Sequence, residues 1–198
     1  MTDMNMVLAS ANKDKLKELK KLISHGDIVS IGDIIPGWDV EETGLTLEAN
    51  ALLKARAAAQ ATQRTAIADD TGLFVWALGG APGVYTARYA GENCTYHDNT
   101  EKLLNALSGE KNSNRRASFQ TVIALVTPDG EEYVFKGSVE GRITEKHSGV
   151  EGFGYDPVFF STELKKTFAE CTTEEKNLVS HRALAMKKLN EFLRNLSD

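Results

Sequence analysis

Residues 6–23 read MVLASANKDKLKELKKLI, a short apolar run, a polar turn and a charged segment in that order. The apolar run at 6–9 has the length and composition of a buried strand. In the charged segment, leucines recur at helical spacing and form one apolar stripe. A strand, a short turn and a helix in this order predict an α/β protein.

The rest of the chain predicts a mixed sheet covered by helices. Helices are expected at about 46–61, 98–107 and 180–196, and strands at 65–68, 73–78, 119–126, 132–135 and 138–144. Thr46 is the expected N-cap of the alanine-rich first of these helices. The strand at 65–68 is expected to end at the segment Asp69-Asp70-Thr71-Gly72. Pro128-Asp129-Gly130 predicts a hairpin, which the strand at 138–144 would extend as a meander.

Composition indicates an ordinary globular protein. The chain has 198 residues, 41% of them hydrophobic, and a formal net charge of -5. That balance argues against a basic surface for nucleic acid or anionic membrane. No apolar run approaches a membrane span, and the N-terminus lacks a signal pattern. Cys94 and Cys171 are too far apart for a cysteine zinc cage and are expected to be free thiols. We therefore expect one cytoplasmic domain over residues 1–198.

The segment SANKDK is a candidate anion-binding site where the first helix begins. A helix N-terminus directs backbone N–H groups and the positive end of the helix dipole outward, and two lysines add charge. The segment lacks the glycines of a P-loop. The alternative is a capped helix with solvated lysines. The candidate residues are Ser10, Ala11, Asn12, Lys13, Asp14 and Lys15.

Two acidic segments, EETG at 41–44 and DDTG at 69–72, are candidates for a magnesium site. Carboxylates at strand ends, drawn from separate segments, supply the oxygen ligands that Mg²⁺ prefers. In an extended chain Asp69 and Asp70 point to opposite faces, so we expect one to serve the site and the other to be structural. The alternative is turn chemistry, because Asp and Gly are common turn residues.

The segment GFGYDP at 152–157 flanks a glycine with two aromatic rings. The rings offer stacking faces, and the glycine lets the backbone approach a planar ligand closely. We expect the proline to fix the turn and to leave the carboxylate of Asp156 free. The alternative is an aromatic plug that fills the core beneath a loop.

The segment EEKNLVSHR at 174–182 opens the last helix, with Ser180 as its expected N-cap. Four apolar residues form one stripe of this helix: Met186, Leu189, Leu193 and Leu196. Arg182 falls on the same stripe, so its side chain is expected to point inward. A cation at a helix N-terminus opposes the helix dipole and needs a partner. That partner is an internal carboxylate or an electron-rich ligand, and we favour the ligand.

Taken in order, these five segments resemble the inosine triphosphate pyrophosphatase family, the XTP/dITP diphosphatases of the HAM1-like group. The matching stretches are SANKDK at 10–15, EETGLTLEANALLKARAA at 41–58, IADDTGLFVWALGGAPGVYTARYAG at 67–91, FGYDPVFF at 153–160 and EEKNLVSHRALA at 174–185. They span nearly the whole chain, and five collinear motifs make the match specific. The family usually has Thr-Gly-Asn in its first motif, where Ala11 here restricts the backbone more than glycine does.

The resemblance implies a fold, an activity and a set of roles. The fold is an elongated central mixed sheet with helices forming two lobes around a substrate cleft. The activity is hydrolysis of ITP, dITP and XTP to the monophosphate and pyrophosphate, with Mg²⁺ (Mn²⁺ as a substitute), by a homodimer. Residues 10–15 would hold phosphates, Glu41 and Asp70 would bind the metal, and Asp70 would also accept a proton. The other implied substrate contacts are Thr71, Phe153, Gly154, Tyr155, Asp156, Lys176, His181 and Arg182.

Two rival functions remain at this point. One is a Maf-like nucleotide pyrophosphatase acting on modified or pyrimidine triphosphates, which should lack the SHR and FGYD motifs present here. The other is a non-enzymatic nucleotide sensor. The retained carboxylates Glu41 and Asp70 argue against a sensor, which has no need of a metal-activated water.

Overall fold

The computed structural model describes residues 5–10 and 12–197, so Ala11 lies outside the described residues. The strands are β1 (Asn5–Leu8), β2 (Asp27–Ser30), β3 (Ala66–Val75), β4 (Pro82–Gly83), β5 (Arg116–Val126), β6 (Glu132–Ile143), β7 (Phe159–Ser161) and β8 (Lys166–Thr167). The α-helices are α1 (Lys13–Leu22), α2 (Ile31–Ile34), α3 (Leu47–Thr62), α4 (Tyr96–Ala106), α5 (Thr173–Val179) and α6 (His181–Ser197). Short 3₁₀ turns lie at Trp76–Leu78, Thr86–Arg88, Asn112–Asn114 and Phe168–Glu170.

The strands form one mixed sheet in the order β2-β1-β3-β5-β6-β7-β8, with β4 paired to β3. β1 runs parallel to β2 and to β3, and Val7 lies opposite Ala66 in the second pairing. β4 is antiparallel to β3, and β7 is antiparallel to both β6 and β8. The predicted mixed α/β architecture is confirmed.

The chain divides into two compact units. The first unit comprises Met1–Asp70, Thr121–Gly137 and Arg182–Asp198, and the second comprises Thr71–Gln120 and Ser138–His181. The expectation of a single domain whose lobes enclose a cleft stays a prediction. Within the described part of the chain, no helix is both long enough and apolar enough to cross a lipid bilayer.

The core of the first unit joins strand and helix side chains in a single cluster. It contains Met6, Leu8, Leu19, Ile28, Ile67, Ile123, Leu125, Met186, Leu189 and Leu193, all buried. The apolar stripe of α1 supplies Leu19, and that of α6 supplies Met186 and Leu189. Leu196, expected on this stripe, is instead 57% exposed, because it lies in the last turn of α6 beyond the core.

The core of the second unit is built around aromatic rings. Phe119 of β5 packs on Phe159, with ring centroids 4.7 Å apart. The imidazole of His181 also stacks on Phe119, with ring centroids 4.5 Å apart and an interplanar angle of 10°. Tyr155 meets Phe119 edge to face and donates its hydroxyl to the carbonyl of Thr86 at 3.0 Å. These rings fix the backbone that follows β6 and precedes α6.

Two expectations about strands are wrong. β3 does not end at 69–72 but continues through Asp69 and Asp70 to Val75. Buried carboxylates are tolerated inside a strand when cations and donors satisfy them, and both have such partners here. The strand expected at 138–144 is the second half of β6, because the chain makes no turn after residue 135.

Candidate functional site

A cluster of charged side chains lies in the first unit, around the middle of β3. We call it the charged cluster, and its members are Lys15, Glu18, Glu42, Lys54, Asp69, Asp70 and Arg182. Asp69 and Asp70 stand at its centre as neighbours in one strand, and each has its own set of partners. The two sets are held by different helices.

The Asp70 half of the cluster is organised by Lys54, a buried lysine of α3. Its Nζ lies 2.6 Å from Glu42 Oε1 and 3.3 Å from Asp70 Oδ1, and it donates to the Asp69 carbonyl at 3.0 Å. A lysine is rarely buried unless it is paired in this way. Lys54 therefore joins the acidic loop before α3 to the carboxylate of Asp70.

Asn50, one helical turn before Lys54, holds the same two segments. Its Nδ2 donates to Asp70 Oδ2 at 3.3 Å, and its Oδ1 accepts from the backbone N–H of Gly44 at 2.7 Å. A Cβ on Gly44 would lie only 2.5 Å from Asn50 Oδ1, so this close approach requires glycine. The EETG loop and Asp70 are thus fixed to one face of α3.

The Asp69 half of the cluster pairs one carboxylate with two cations. Asp69 Oδ2 lies 3.2 Å from Lys15 Nζ, and Arg182 donates to it through Nε at 3.3 Å and Nη2 at 3.2 Å. Arg182 Nη1 also donates to Glu18 of α1. Asp69 therefore ties the start of α1 and the start of α6 to β3.

The two aspartates have pKa values displaced in opposite directions. Burial raises the pKa of Asp70; the attraction of Lys54 opposes this shift and repulsion from Glu42 adds to it. Burial acts to raise the pKa of Asp69 as well, but attraction by Lys15, Arg182 and Lys54 outweighs it and holds this pKa below its usual range. The folded protein thus favours the charged form of Asp69 and disfavours that of Asp70.

The candidate anion-binding segment forms the N-terminus of α1. The Oδ1 of Asn12 accepts from the N–H groups of Asp14 and Lys15 at 3.0 and 3.1 Å, and Ser10 Oγ accepts from the N–H of Asn12 at 3.2 Å. The side chain of Lys13 is exposed, whereas that of Lys15 faces Asp69. Ala11 lies outside the described residues, so phosphate binding by this segment stays a prediction.

The two glutamates of the EETG loop differ in their surroundings. Glu42 is half-buried and bonded to Lys54, in the half of the charged cluster that contains Asp70. Glu41, the glutamate that the resemblance implies for the metal, is exposed. The structure therefore brings Glu42 and Asp70 together through one lysine.

The inward orientation predicted for Arg182 is confirmed, since the residue is only 2% exposed. Its partners here are the internal carboxylates of Asp69 and Glu18, the less favoured of the two kinds of partner expected from the sequence. Attraction from these carboxylates compensates the placement of a cation at the first turn of a helix.

In the second unit, the FGYD segment is held by an ion pair. The carboxylate of Asp156 accepts from Lys176 Nζ at 2.7 Å and from the backbone N–H of Phe153 at 2.9 Å. The expectation that this carboxylate is free is wrong, because a buried charge requires a partner and Lys176 supplies one. Gly152 has φ +76°, and a Cβ there would lie 2.0 Å from Asp156 Oδ2.

The remaining predicted substrate contacts differ in their accessibility. Phe153 is half-buried, with Lys176 Nζ 5.3 Å from its ring centroid. Tyr155 and His181 are buried in the aromatic core of the second unit. Gly154 has φ +64°, and Thr71 is half-buried in β3. The second unit therefore brings Phe153, Asp156 and Lys176 into direct contact.

Asn50 and Lys54 were not predicted from the sequence, and Glu42 was predicted only as part of the EETG segment, in which the resemblance implies Glu41 as the ligand. Asn50 and Lys54 carry a signal in the sequence, since they lie four residues apart on α3 and so share one face. That face is otherwise lined by buried alanines at 51, 55 and 58. Polar residues at helical spacing on a buried face indicate partners that must be satisfied there.

Comparisons with known proteins give a consistent result. The profile of the Ham1 family matches residues 6–192. A dITP/XTP pyrophosphatase of Staphylococcus aureus (strain MW2) is 48% identical over 188 residues, which cover 95% of each chain. A solved structure of the Staphylococcus aureus Ham1 protein has a TM-score of 0.87 at 47% identity, covering 96% of this chain and 98% of that one. A HAM1 protein from Coxiella burnetii has a TM-score of 0.87 at 40% identity, covering 97% and 99%.

Proposed function

The chain belongs to the Ham1 family, as its five motifs predict, and from this membership we propose that it hydrolyses non-standard purine nucleoside triphosphates. The substrates would be ITP, dITP and XTP, and the products a nucleoside monophosphate and pyrophosphate. The observation that carries the proposal is the charged cluster, in which a buried aspartate is held between a lysine and an asparagine at the middle of β3. Release of pyrophosphate from ITP is the measurement that tests it.

The chemistry proposed for this site rests on positioning and on charge. Asp70 accepts the proton of the water that attacks the α-phosphorus, with Asn50 and Lys54 fixing its two oxygens. Lys13 and Lys15 place positive charge at the start of α1, where the triphosphate would bind.

The donor set of the Asp70 half suits Mg²⁺. Glu42 and Asp70 present carboxylate oxygens around one ammonium group, and hard oxygen ligands are those that Mg²⁺ binds. We propose that Asp70 and Glu42 hold the ion, in place of the Glu41 that the resemblance implies, because Glu42 is bonded within this half of the cluster and Glu41 is exposed. When bound, Mg²⁺ supplies positive charge to the polyphosphate and lowers the pKa of water.

A pair of glutamate variants tests which residue serves the metal. Activity with ITP is expected to vanish in chelator and to return with Mg²⁺ or Mn²⁺, which accepts the same oxygen ligands. Glu42→Gln is expected to raise the Mg²⁺ concentration for half-maximal activity by roughly 10-fold or more, the scale on which lost metal-site contacts act.

Glu41→Gln is the matched control, since it makes the same change at the exposed neighbour, and we expect a Mg²⁺ requirement near that of the unmodified protein. The reverse pattern, with Glu41→Gln impaired and Glu42→Gln normal, would assign the metal to Glu41. Full activity in excess chelator would exclude a metal-assisted reaction.

We propose that the protein selects its purine base through side chains that donate hydrogen bonds. Hypoxanthine and xanthine carry a carbonyl at C6 where adenine carries an amine, and Arg and Lys side chains only donate hydrogen bonds. We propose that Arg182 donates to this carbonyl in addition to its contacts with Asp69 and Glu18. In the second unit, the half-buried ring of Phe153 offers a stacking face beside Lys176.

Arg182→Ala tests the recognition role. We expect kcat/KM for ITP to fall roughly 10- to 200-fold, the equivalent of about 1.5–3 kcal/mol for a lost charged donor, and residual ATP hydrolysis to change less. The melting temperature should also fall, because Asp69 and Glu18 lose a partner. An unchanged ITP/ATP ratio together with a lower melting temperature would make Arg182 a purely structural residue.

The resemblance further implies a homodimer in the cytoplasm, and we propose both for this chain. Light scattering during size-exclusion chromatography measures the oligomeric state directly. A molar mass near that of one 21.7 kDa chain would contradict the dimer.

A further inference from the structure

Three side chains of the second unit that belong to none of the five motifs come together. His97 and Glu101 lie one turn apart on α4 and therefore share a face, and His147 lies on the segment that follows β6. One nitrogen or oxygen atom from each of the three lies within 4.8 Å of the others. The two imidazole rings have centroids 5.4 Å apart.

The hydrogen bonds of Thr100 determine which nitrogen of His147 is available. The hydroxyl of Thr100 donates to the carbonyl of His97 at 2.8 Å, so its oxygen must accept from His147 Nε2–H, also at 2.8 Å. In a neutral imidazole the other nitrogen, Nδ1, then carries a lone pair. Thr100 is buried, so water does not compete for its hydroxyl and the hydrogen bond from His147 Nε2 is maintained.

The available nitrogen of His147 faces a carboxylate. Its Nδ1 lies 3.6 Å from Glu101 Oε1, too far for a hydrogen bond, and in the neutral imidazole this places two electron-rich atoms opposite each other. Two ligands at about 2.1 Å from a tetrahedral ion are separated by roughly 3.4 Å, close to this distance. A cation between the two atoms would convert a repulsive contact into an attractive one.

We propose that His97, Glu101 and His147 bind a divalent transition-metal ion of the zinc class. Two imidazoles and one carboxylate are a donor set that suits Zn²⁺, whereas Mg²⁺ prefers oxygen ligands alone. The bond from His147 to Thr100 orients the ring, as outer contacts of metal-binding histidines do.

The surroundings of the three residues give an ion access. Glu101 and His147 line a cavity of about 590 Å³, whose wall also carries two carboxylates, Glu110 and Glu145, and two cations, Arg115 and Lys146. His97 is exposed and the other two residues are partly exposed. The site is therefore open to exchange and does not depend on the proposed hydrolase activity.

Titration of the untagged full-length protein with Co²⁺ tests the proposal, because visible absorption reports nitrogen and oxygen coordination of this ion. In excess Mg²⁺ we expect one saturable equivalent of Co²⁺ that Zn²⁺ displaces. His97→Ala and His147→Ala are each expected to weaken binding by at least ~10-fold, and Thr100→Val, which removes only the orienting hydroxyl, by roughly 10- to 100-fold.

His25→Ala is the matched control, since it removes a partly exposed histidine of the first unit and should leave Co²⁺ affinity unchanged. Circular dichroism spectra and melting temperatures show that each variant is folded. Absence of saturable Co²⁺ binding, or affinities in the His97, His147 or Thr100 variants equal to that of the unmodified protein, would overturn the proposal.

Discussion

Asp70→Asn is expected to lower kcat for ITP by at least ~10²-fold while the protein remains folded. Asparagine keeps the shape and can still accept from Asn50, but it cannot take a proton and adds no charge to a metal. Stability should change little, because burial raises the pKa of Asp70 and the folded state therefore gains nothing from its charge. Lys54 also keeps its bonds to Glu42 and to the Asp69 carbonyl.

The measurement for Asp70→Asn is kcat for ITP at saturating Mg²⁺. The melting temperature of the same preparation is determined in parallel. Near-normal turnover would show that Asp70 is not the proton acceptor. A large loss of melting temperature would show instead that its charge stabilises the fold.

Asp69→Asn makes the same chemical change one residue earlier and is expected to act on stability. It removes the charge that Lys15 and Arg182 share, and both cations are buried or nearly so. Removing one partner of a buried ion pair costs about 3–5 kcal/mol. For a protein of this size the melting temperature should fall by roughly 6–20 °C.

The sign of this effect follows from the lowered pKa of Asp69. The folded state favours the charged form, so a neutral side chain forfeits stability that is present at neutral pH. Asp33→Asn, at an exposed position of the first unit, is the matched control and should melt within a few degrees of the unmodified protein. An unchanged melting temperature in Asp69→Asn would contradict the structural role of the Asp69–Arg182 pair.

Local signals predicted much of the fold. The N-cap at Thr46 is confirmed, since its Oγ1 accepts from the N–H of Ala49 at 3.1 Å. The turn at 128–130 between β5 and β6 also lies where Pro128, Asp129 and Gly130 place it. Caps and tight turns depend on a few neighbouring residues, so a sequence is enough to locate them.

The extent of β3 could not be predicted because it depends on distant partners. Two adjacent aspartates read as a strand end when taken alone. Inside β3 they are stabilised by Lys15, Lys54 and Arg182, which come from three different helices. Asp156 was misjudged for the same reason, since its partner Lys176 lies 20 residues away.

The sequence predicts that Asp69 and Asp70 have different roles, but it does not predict which glutamate of the EETG loop lies beside Asp70. Opposite side-chain directions in an extended chain correctly anticipate that Asp69 and Asp70 have different partners. Which of Glu41 and Glu42 turns inward depends on the loop before α3, which Asn50 fixes through Gly44. That contact is set by the position of a helix, so the loop sequence by itself does not reveal it.

The measurement that tests the central claim most directly is pyrophosphate release by the purified protein from ITP, XTP, dTTP, UTP, ATP and GTP under identical conditions with Mg²⁺. We expect kcat/KM for ITP and XTP to exceed that for ATP by as much as ~10⁴-fold, the discrimination that a site built on hydrogen bonds provides. Faster hydrolysis of dTTP or UTP than of ITP, or absence of pyrophosphate release from every nucleotide, would contradict the proposed function.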